Sequence, residues 1–200
     1  MEKYHVRTKR LTAISRKDLK KYRDILADYP NIVIISDEIY EHINFTNEHC
    51  SFGSLDGMSD RTITMNGFSK AFAMTGWRLG YIGAPKEIAK SINKMQGQTT
   101  SANCSIAQRA GYAALRAGNE CAIEMRNSYL KRRDLVFDKL NSINNLKVNL
   151  PEGAFYFFPE IDNIIGKIDK KGVEIKSSND LAMYLLEDAK ISLVPGEDFG

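Results

Sequence analysis

Ile32-Val33-Ile34-Ile35-Ser36-Asp37-Glu38 is a continuous β-branched run that opens abruptly into polar residues. A run without polar alternation reads as a parallel strand buried on both faces, since helices cover such strands from either side. Ligands of open α/β sheets collect at the carboxyl edge of their strands, so chemistry is expected at the polar tail. Upstream, Ser15 to Asp28 reads as a helix: Ser15 is a suitable N-cap, Asp18 falls in the first turn, and Leu19, Tyr22, Ile25 and Leu26 recur at helical spacing. Pro30 ends it. Downstream, a strand from Thr62 to Met65 runs into Asn66-Gly67-Phe68-Ser69-Lys70, and another from Leu79 to Ile82 stops at Gly83-Ala84-Pro85. This alternation predicts an α/β fold.

The pattern then turns helical, from Lys86 to Lys94 and from Ser105 to about Ile143, with a break near Gly118-Asn119. Arg132, Arg133 and Lys139 fall on the wet side of that tract. A polar stretch, Asn141 to Asn149, precedes Pro151-Glu152-Gly153 and the aromatic run Ala154-Phe155-Tyr156-Phe157-Phe158, which reads as a strand. The change in composition suggests a domain boundary, with 1–145 in a large domain and 146–200 in a small one. Ile161 to Ser178 reads as a loop, Asn179 to Lys190 as a helix, and Ile191 to Val194 as a strand ending at Pro195-Gly196. There is no internal repeat or low-complexity segment.

Composition excludes several functions. The 200 residues, 43% of them hydrophobic, can bury a sizeable core. The 28 basic and 25 acidic residues leave a formal charge of +3, too little field to attract nucleic acid. The basic N-terminal stretch, Lys3 and Arg7 through Arg23, reads as a solvated face rather than a phosphate-binding patch. Cys50, Cys104 and Cys121 are far apart and odd in number, which suits a reducing cytoplasm and no disulfide framework. His5, His42 and His49 lack metal-ligand spacing, and His42 beside Glu41 reads as a surface or capping residue, so no metal is expected. Charges occupy the place of a signal-peptide core, and no apolar run approaches the roughly 20 residues of a membrane span, so a soluble, unexported protein is expected.

Among the many lysines, Lys70 has a distinctive setting, directly after a strand and eight residues ahead of Arg78 in Met74-Thr75-Gly76-Trp77-Arg78-Leu79-Gly80. A lysine amine attacks a carbonyl only when neutral, and burial or a nearby cation moves it toward that state. Arg78 is a candidate for that cation, and its planar fork also suits a phosphate. Each residue has a plainer reading when taken singly. Asp37 can cap the next turn, Tyr40 can be a half-buried aromatic, Arg78 can stack on Trp77, and Ser69 can be a turn residue. Their joint order and spacing favour a site.

Gly67 to Gly80 resembles the segment around the Schiff-base lysine of class I pyridoxal-phosphate-dependent aminotransferases. Ser36-Asp37-Glu38-Ile39-Tyr40-Glu41-His42 resembles the Asp-x-x-Tyr strand end of that family, and Pro151-Glu152-Gly153-Ala154-Phe155-Tyr156 the start of its small domain. The resemblance runs from about Ala13 to Gly200 and looks closest to bacterial aspartate aminotransferases. It implies part of the fold type I architecture: a mixed, mostly parallel sheet with flanking helices, plus part of a small C-terminal α+β domain. It also implies amino-group transfer from an L-amino acid, best aspartate, to a 2-oxo acid such as 2-oxoglutarate, with pyridoxal 5'-phosphate held as a Schiff base on Lys70.

On that resemblance Asp37 pairs with the protonated pyridine nitrogen, where a carboxylate keeps the ring an electron sink. Tyr40 donates to the ring hydroxyl oxygen, and Lys70 shuttles the substrate proton. Arg78 and Ser69 hold the phosphate, while Gly67 lacks the hydroxyl that some relatives place there. Family members are usually homodimers, so Gln98-Thr99-Thr100-Ser101 either reaches a partner's site or caps the following helix. The family's Asn-Pro-x-Gly would fall at Lys9-Arg10-Leu11-Thr12 and is absent there. Its substrate-carboxylate arginine follows a segment matching Pro195-Gly196-Glu197-Asp198-Phe199-Gly200, where the chain stops. The alternative is therefore an inactive truncated fragment that only binds cofactor or a partner chain. Aromatic transamination or β-elimination on the same fold is a nearer variant. An unrelated nucleotide-binding domain needs G-x-x-x-x-G-K-[ST] or G-x-G-x-x-G, and the sequence has neither.

Overall fold

Ser15 starts the first helix in the computed structural model, which describes residues 14–46 and 49–199. Its hydroxyl accepts from the Asp18 N–H and so caps α1 (Arg16–Ala27). The far end is closed from a distance by Arg61, which donates to the Leu26 and Tyr29 carbonyls at 2.7 and 2.6 Å. Carbonyls at a helix end have no partner within the helix, and this guanidinium supplies one. His5, the basic residues before Arg16, and positions 9–12, where Asn-Pro-x-Gly was expected, lie outside the described residues.

Three strands follow: β1 (Ile34–Asp37), β2 (Thr62–Gly67) and β3 (Gly80–Gly83), in that spatial order. β1 and β2 are parallel with Asp37 opposite Met65; β2 and β3 are antiparallel with Gly67 opposite Gly80. The sheet is thus mixed, and the ends of β1 and β2 share one edge with the start of β3. At that edge Gly67 admits a close backbone approach: a Cβ there would lie 3.0 Å from the Leu79 carbonyl oxygen and 3.1 Å from Gly80 Cα.

Two apolar clusters hold these elements. Leu19 of α1 packs with Phe52, Leu55 and Met58, and Ile34 leans on that group from β1. Phe68, Met74 and Leu79 form the second, against Ala110 and Ala114 of α3 (Ser105–Ala117). Gly111 of α3 sits so close to this cluster that a Cβ would lie 2.5 Å from Leu79 Cδ2. The expectation that the first strand is buried on both faces is overturned: Ile34 tucks in, but Ile35 is 66% exposed. Parallel strands are buried when layers cover both faces, and none of the described elements covers Ile35.

α2 (Lys86–Thr99) runs five residues beyond its expected end. Thr99 and Thr100 terminate it, the Thr99 hydroxyl and the Thr100 N–H both bonding to its last carbonyls, so this run does not cap the following helix. The N-cap position of α3 is Cys104. α3 stops at Gly118, whose φ of 86° suits glycine, and α4 (Glu120–Asn141) follows, which is the break expected from Gly118-Asn119.

Within the described residues the chain divides into two compact units, 14–131 with 152–155, and 132–151 with 156–199. In the second unit, α5 (Ser178–Tyr184) is capped by the Ser177 hydroxyl, which accepts from Asp180 N–H, and it continues as a π turn, Leu185–Ala189. The Ser178 N–H donates to Glu197 Oε1 and the Glu197 N–H to Ser178 Oγ, fastening a final turn, Gly196–Phe199, to the helix start. Neither Ala154–Phe158 nor Ile191–Val194 forms a strand. A strand persists through its ladder, and among the described residues these runs have no strand beside them; only isolated bridges occur nearby, such as Asn44 with Gly153. No described helix is long and apolar enough to cross a membrane.

Candidate active site

Asp37 is the last residue of β1 and is exposed. Its Oδ1 accepts from the Ile39 N–H at 3.2 Å, so the carboxylate does cap the next turn while still facing the open edge. The chain then curls tightly, with Glu41 N–H donating to the Glu38 carbonyl at 3.0 Å and Ile43 N–H to the Tyr40 carbonyl at 2.9 Å. Tyr40 is half-buried on this turn.

Lys70 lies three residues beyond β2, half-buried beside Ser69. Its Nζ sits 5.7 Å from the Tyr40 ring centroid and 5.2 Å from that of Phe155, within cation–π range. Among the described residues no carboxylate comes within ion-pair distance of it. Phe155 reaches this place because Phe45 N–H donates to the Glu152 carbonyl and Ala154 N–H to the Ile43 carbonyl, both at 2.8 Å. The Phe155 ring meets Tyr40 edge-on at 5.5 Å and stacks on Tyr129 at 5.2 Å. The sequence alone marks Phe155 only as part of an aromatic run; its position in Pro151-Glu152-Gly153-Ala154-Phe155 was the available signal.

Arg78 is exposed, two residues before β3 and hence at the same edge. Its Nη1 donates to the Thr75 carbonyl at 2.9 Å rather than the side chain stacking on Trp77. Arg78 and Ala73 both have φ of 52°, left-handed for residues with a Cβ. Such conformations cost on the order of 1–3 kcal/mol each and survive where surrounding contacts dictate them. Here Met74 N–H to the Phe68 carbonyl and the buried Met74 side chain hold the loop between them.

A second cluster lies behind this edge. Glu38 is 8% exposed and accepts from Ser36 Oγ, Ser51 Oγ, Phe52 N–H and His49. Burial is the largest single influence and pushes its carboxyl up, but the four hydrogen bonds together hold it below the ordinary range. His49 is held above its ordinary value, chiefly by the hydrogen bond to Glu38, with burial opposing and the charges of Glu38 and Glu41 assisting. His42 pairs with Glu41 at 2.8 Å. Ligand atoms of Glu38, Glu41 and His49 fall within 4.8 Å of one another although His49 is eleven residues from Glu38, a grouping that histidine spacing does not reveal. Those atoms already bond to one another and to neighbouring donors.

The groups at the edge thus comprise a carboxylate, a phenol, an amine without an ion pair among the described residues, a hydroxyl and a guanidinium. Asp37, Tyr40, Ser69 and Lys70 stand where β1 and β2 end, and Arg78 where β3 begins; Gln98 to Ser101 lie exposed at the end of α2. A bifunctional aspartate aminotransferase and glutamate/aspartate-prephenate aminotransferase of Petunia hybrida is 47% identical over 190 residues, which are 92% of this chain and 40% of that protein. The crystal structure of the aspartate aminotransferase from Rhizobium meliloti superposes with a TM-score of 0.90 at 39% identity, covering 96% of this chain and 48% of that one. An aromatic aminotransferase structure from Pyrococcus horikoshii OT3 gives 0.84 at 38% identity, with 95% and 48% covered. This chain spans less than half the length of these relatives, and its fold is the corresponding part of theirs. The family model for Aminotransferase class I and II matches residues 12–200, all but the first eleven, and the chain belongs to that family.

Proposed function

We propose that this chain carries the lysine-bearing part of a pyridoxal-phosphate-dependent aminotransferase that moves an amino group from aspartate to a 2-oxo acid such as 2-oxoglutarate. The observation that carries the reading is the shared edge: parallel β1 and β2 run out on one side, β1 at Asp37 and β2 three residues before Lys70, and β3 starts there just after Arg78. The donor set fits the cofactor group by group. The Asp37 carboxylate would hold a proton on a ring nitrogen, and the Tyr40 hydroxyl would donate to a ring oxygen. Lys70 would hold the cofactor through Nζ and, when released, would move the proton at the substrate α-carbon. Arg78, with most of its fork still available, and the Ser69 hydroxyl hold a phosphate. When bound, the cofactor supplies the electron sink for the charge left as that proton departs.

The names of the relatives support aspartate as substrate, and the Pyrococcus relative keeps aromatic amino acids as the variant to test. A homodimer whose exposed Gln98-Thr99-Thr100-Ser101 reaches a partner's site belongs to the same proposal, as does a cytoplasmic home, supported by the three free thiols of Cys50, Cys104 and Cys121. The test is to add pyridoxal phosphate to the purified chain and to Lys70→Ala, reduce with borohydride, and locate the label by peptide mass. Label on Lys70, lost in the variant, is expected. Label scattered over surface lysines in both proteins would defeat the reading.

A further inference from the structure

Side chains alternate along a strand, so Ser36 and Glu38 face away from the side that Asp37 presents. Both turn inward, and their own contacts fasten the backbone on either side of Asp37. Glu38 Oε1 accepts from Ser36 Oγ and Ser51 Oγ at 2.9 Å and from Phe52 N–H at 3.1 Å, while Oε2 meets His49 Nε2 at 2.9 Å. The same Nε2 lies 3.8 Å from Glu41 Oε2. One imidazole therefore spans the two carboxylates that bound the turn carrying Tyr40. The other Glu41 oxygen meets His42 at 2.8 Å.

We propose that His49, bridging Glu38 and Glu41, is a positioning residue that fixes the turn from which Asp37 and Tyr40 reach the cofactor. This rests on the cofactor reading given above. Its physical basis is the burial of Glu38. A buried carboxylate with only neutral donors is costly, and among the described residues His49 is the one basic side chain in ion-pair range of it, charged when protonated. Without His49, the Glu38 and Glu41 carboxylates face each other across the turn with only neutral donors on Glu38 and His42 on the far oxygen of Glu41. The backbone closure from Glu41 N–H to the Glu38 carbonyl is then the contact placed under load. Among the described residues the charged and titratable groups around the imidazole are Glu38, Glu41 and, through Glu41, His42 and Tyr81.

The experiment compares the purified chain with His49→Ala and His49→Gln. It measures pyridoxal phosphate affinity, the pH dependence of the bound cofactor's absorbance, and the His49 imidazole titration by NMR without cofactor. His49 is expected to titrate above 6.5. His49→Ala is expected to bind about tenfold more weakly, taking as scale the loss when an outer hydrogen-bond partner of a metal ligand is removed, and to shift the absorbance midpoint. His49→Gln keeps an N–H toward Glu38 but not the charge, so it recovers only part of the affinity and leaves the midpoint shifted. Parental affinity and midpoint in His49→Ala, with Lys70 still labelled in both proteins, would overturn the proposal, as would an ordinary His49 titration. Absence of label on Lys70 in the parent is a separate result that defeats the cofactor reading and the proposal with it. If His49→Ala does not fold, His49→Gln carries the comparison, with weaker binding and a shifted midpoint expected and parental values of both overturning the proposal.

Discussion

Ile32-Val33-Ile34-Ile35 and Ile191-Ser192-Leu193-Val194 are apolar runs of similar length, each placed after a helix and ahead of a polar or glycine-containing turn. Ile34 ladders with Thr62 and leans on the cluster around Leu19. Val194 belongs to no strand and is 65% exposed. The two runs differ in their neighbours. β-branched residues favour extended backbone, but a strand lasts only where a second strand takes its N–H and C=O groups and a layer covers one face. The unit built on the sheet has both and gathers two apolar clusters. The unit of 132–151 and 156–199 has Ile175 and Ala182 as its buried hydrophobic side chains among the described residues, and it relies on caps and turns.

This contrast predicts that substitutions cost most where contacts are long-range and buried. Glu38→Ala strands three donors and a histidine, and a loss of about 3 kcal/mol in urea unfolding is expected, as for a buried pair deprived of one partner. The same cluster sets a pH window. Glu38 titrates below its ordinary 4.5, so its stabilisation is present above 4.5 and fades as pH falls through the lower folded value. His49 titrates above 6.5, so its stabilisation is complete below 6.5 and fades as pH rises through the higher folded value. Melting temperatures measured across pH should therefore show the full contribution of the pair between 4.5 and 6.5, and Glu38→Ala should flatten that profile.

Gly111→Ala brings a Cβ against Leu79 Cδ2 at 2.5 Å and the Phe68 ring at 3.1 Å, and overpacking of about 2 kcal/mol is expected from the shift in urea midpoint. In the other unit, Ser177→Ala removes one helix cap and should cost about 1 kcal/mol by the same assay. The exposed Lys147–Glu160 pair, at 2.7 Å, should matter least, and Lys147→Ala is expected to leave the midpoint unmoved. A cost for Lys147→Ala equal to that of Glu38→Ala would break the comparison.

Local signals were legible because they act between residues near in the chain. Ser15 as a cap, the break at Gly118, and the strand leading into Gly67-Phe68-Ser69-Lys70 each depend on backbone chemistry within a few residues. The candidate site residues Asp37, Tyr40, Ser69, Lys70 and Arg78 could be named for a different reason: their order matches a family pattern, and proposing their roles needs no coordinates. The exposure of Ile35, the missing strands at 154–158 and 191–194, and the docking of Phe155 against Tyr40 and Lys70 could not be read in the same way.

The sequence by itself determined the α/β alternation, the Ser15 cap, the break at Gly118 and the candidate lysine, because propensity, capping and motif spacing are properties of adjacent residues. Only the tertiary structure decided which apolar runs became strands, and that Glu38, Glu41 and His49 stand behind the site. Ladder bonds, layer coverage and the pairing of a buried carboxylate all need groups that the chain brings together from a distance, and a linear pattern does not state which distant groups will meet.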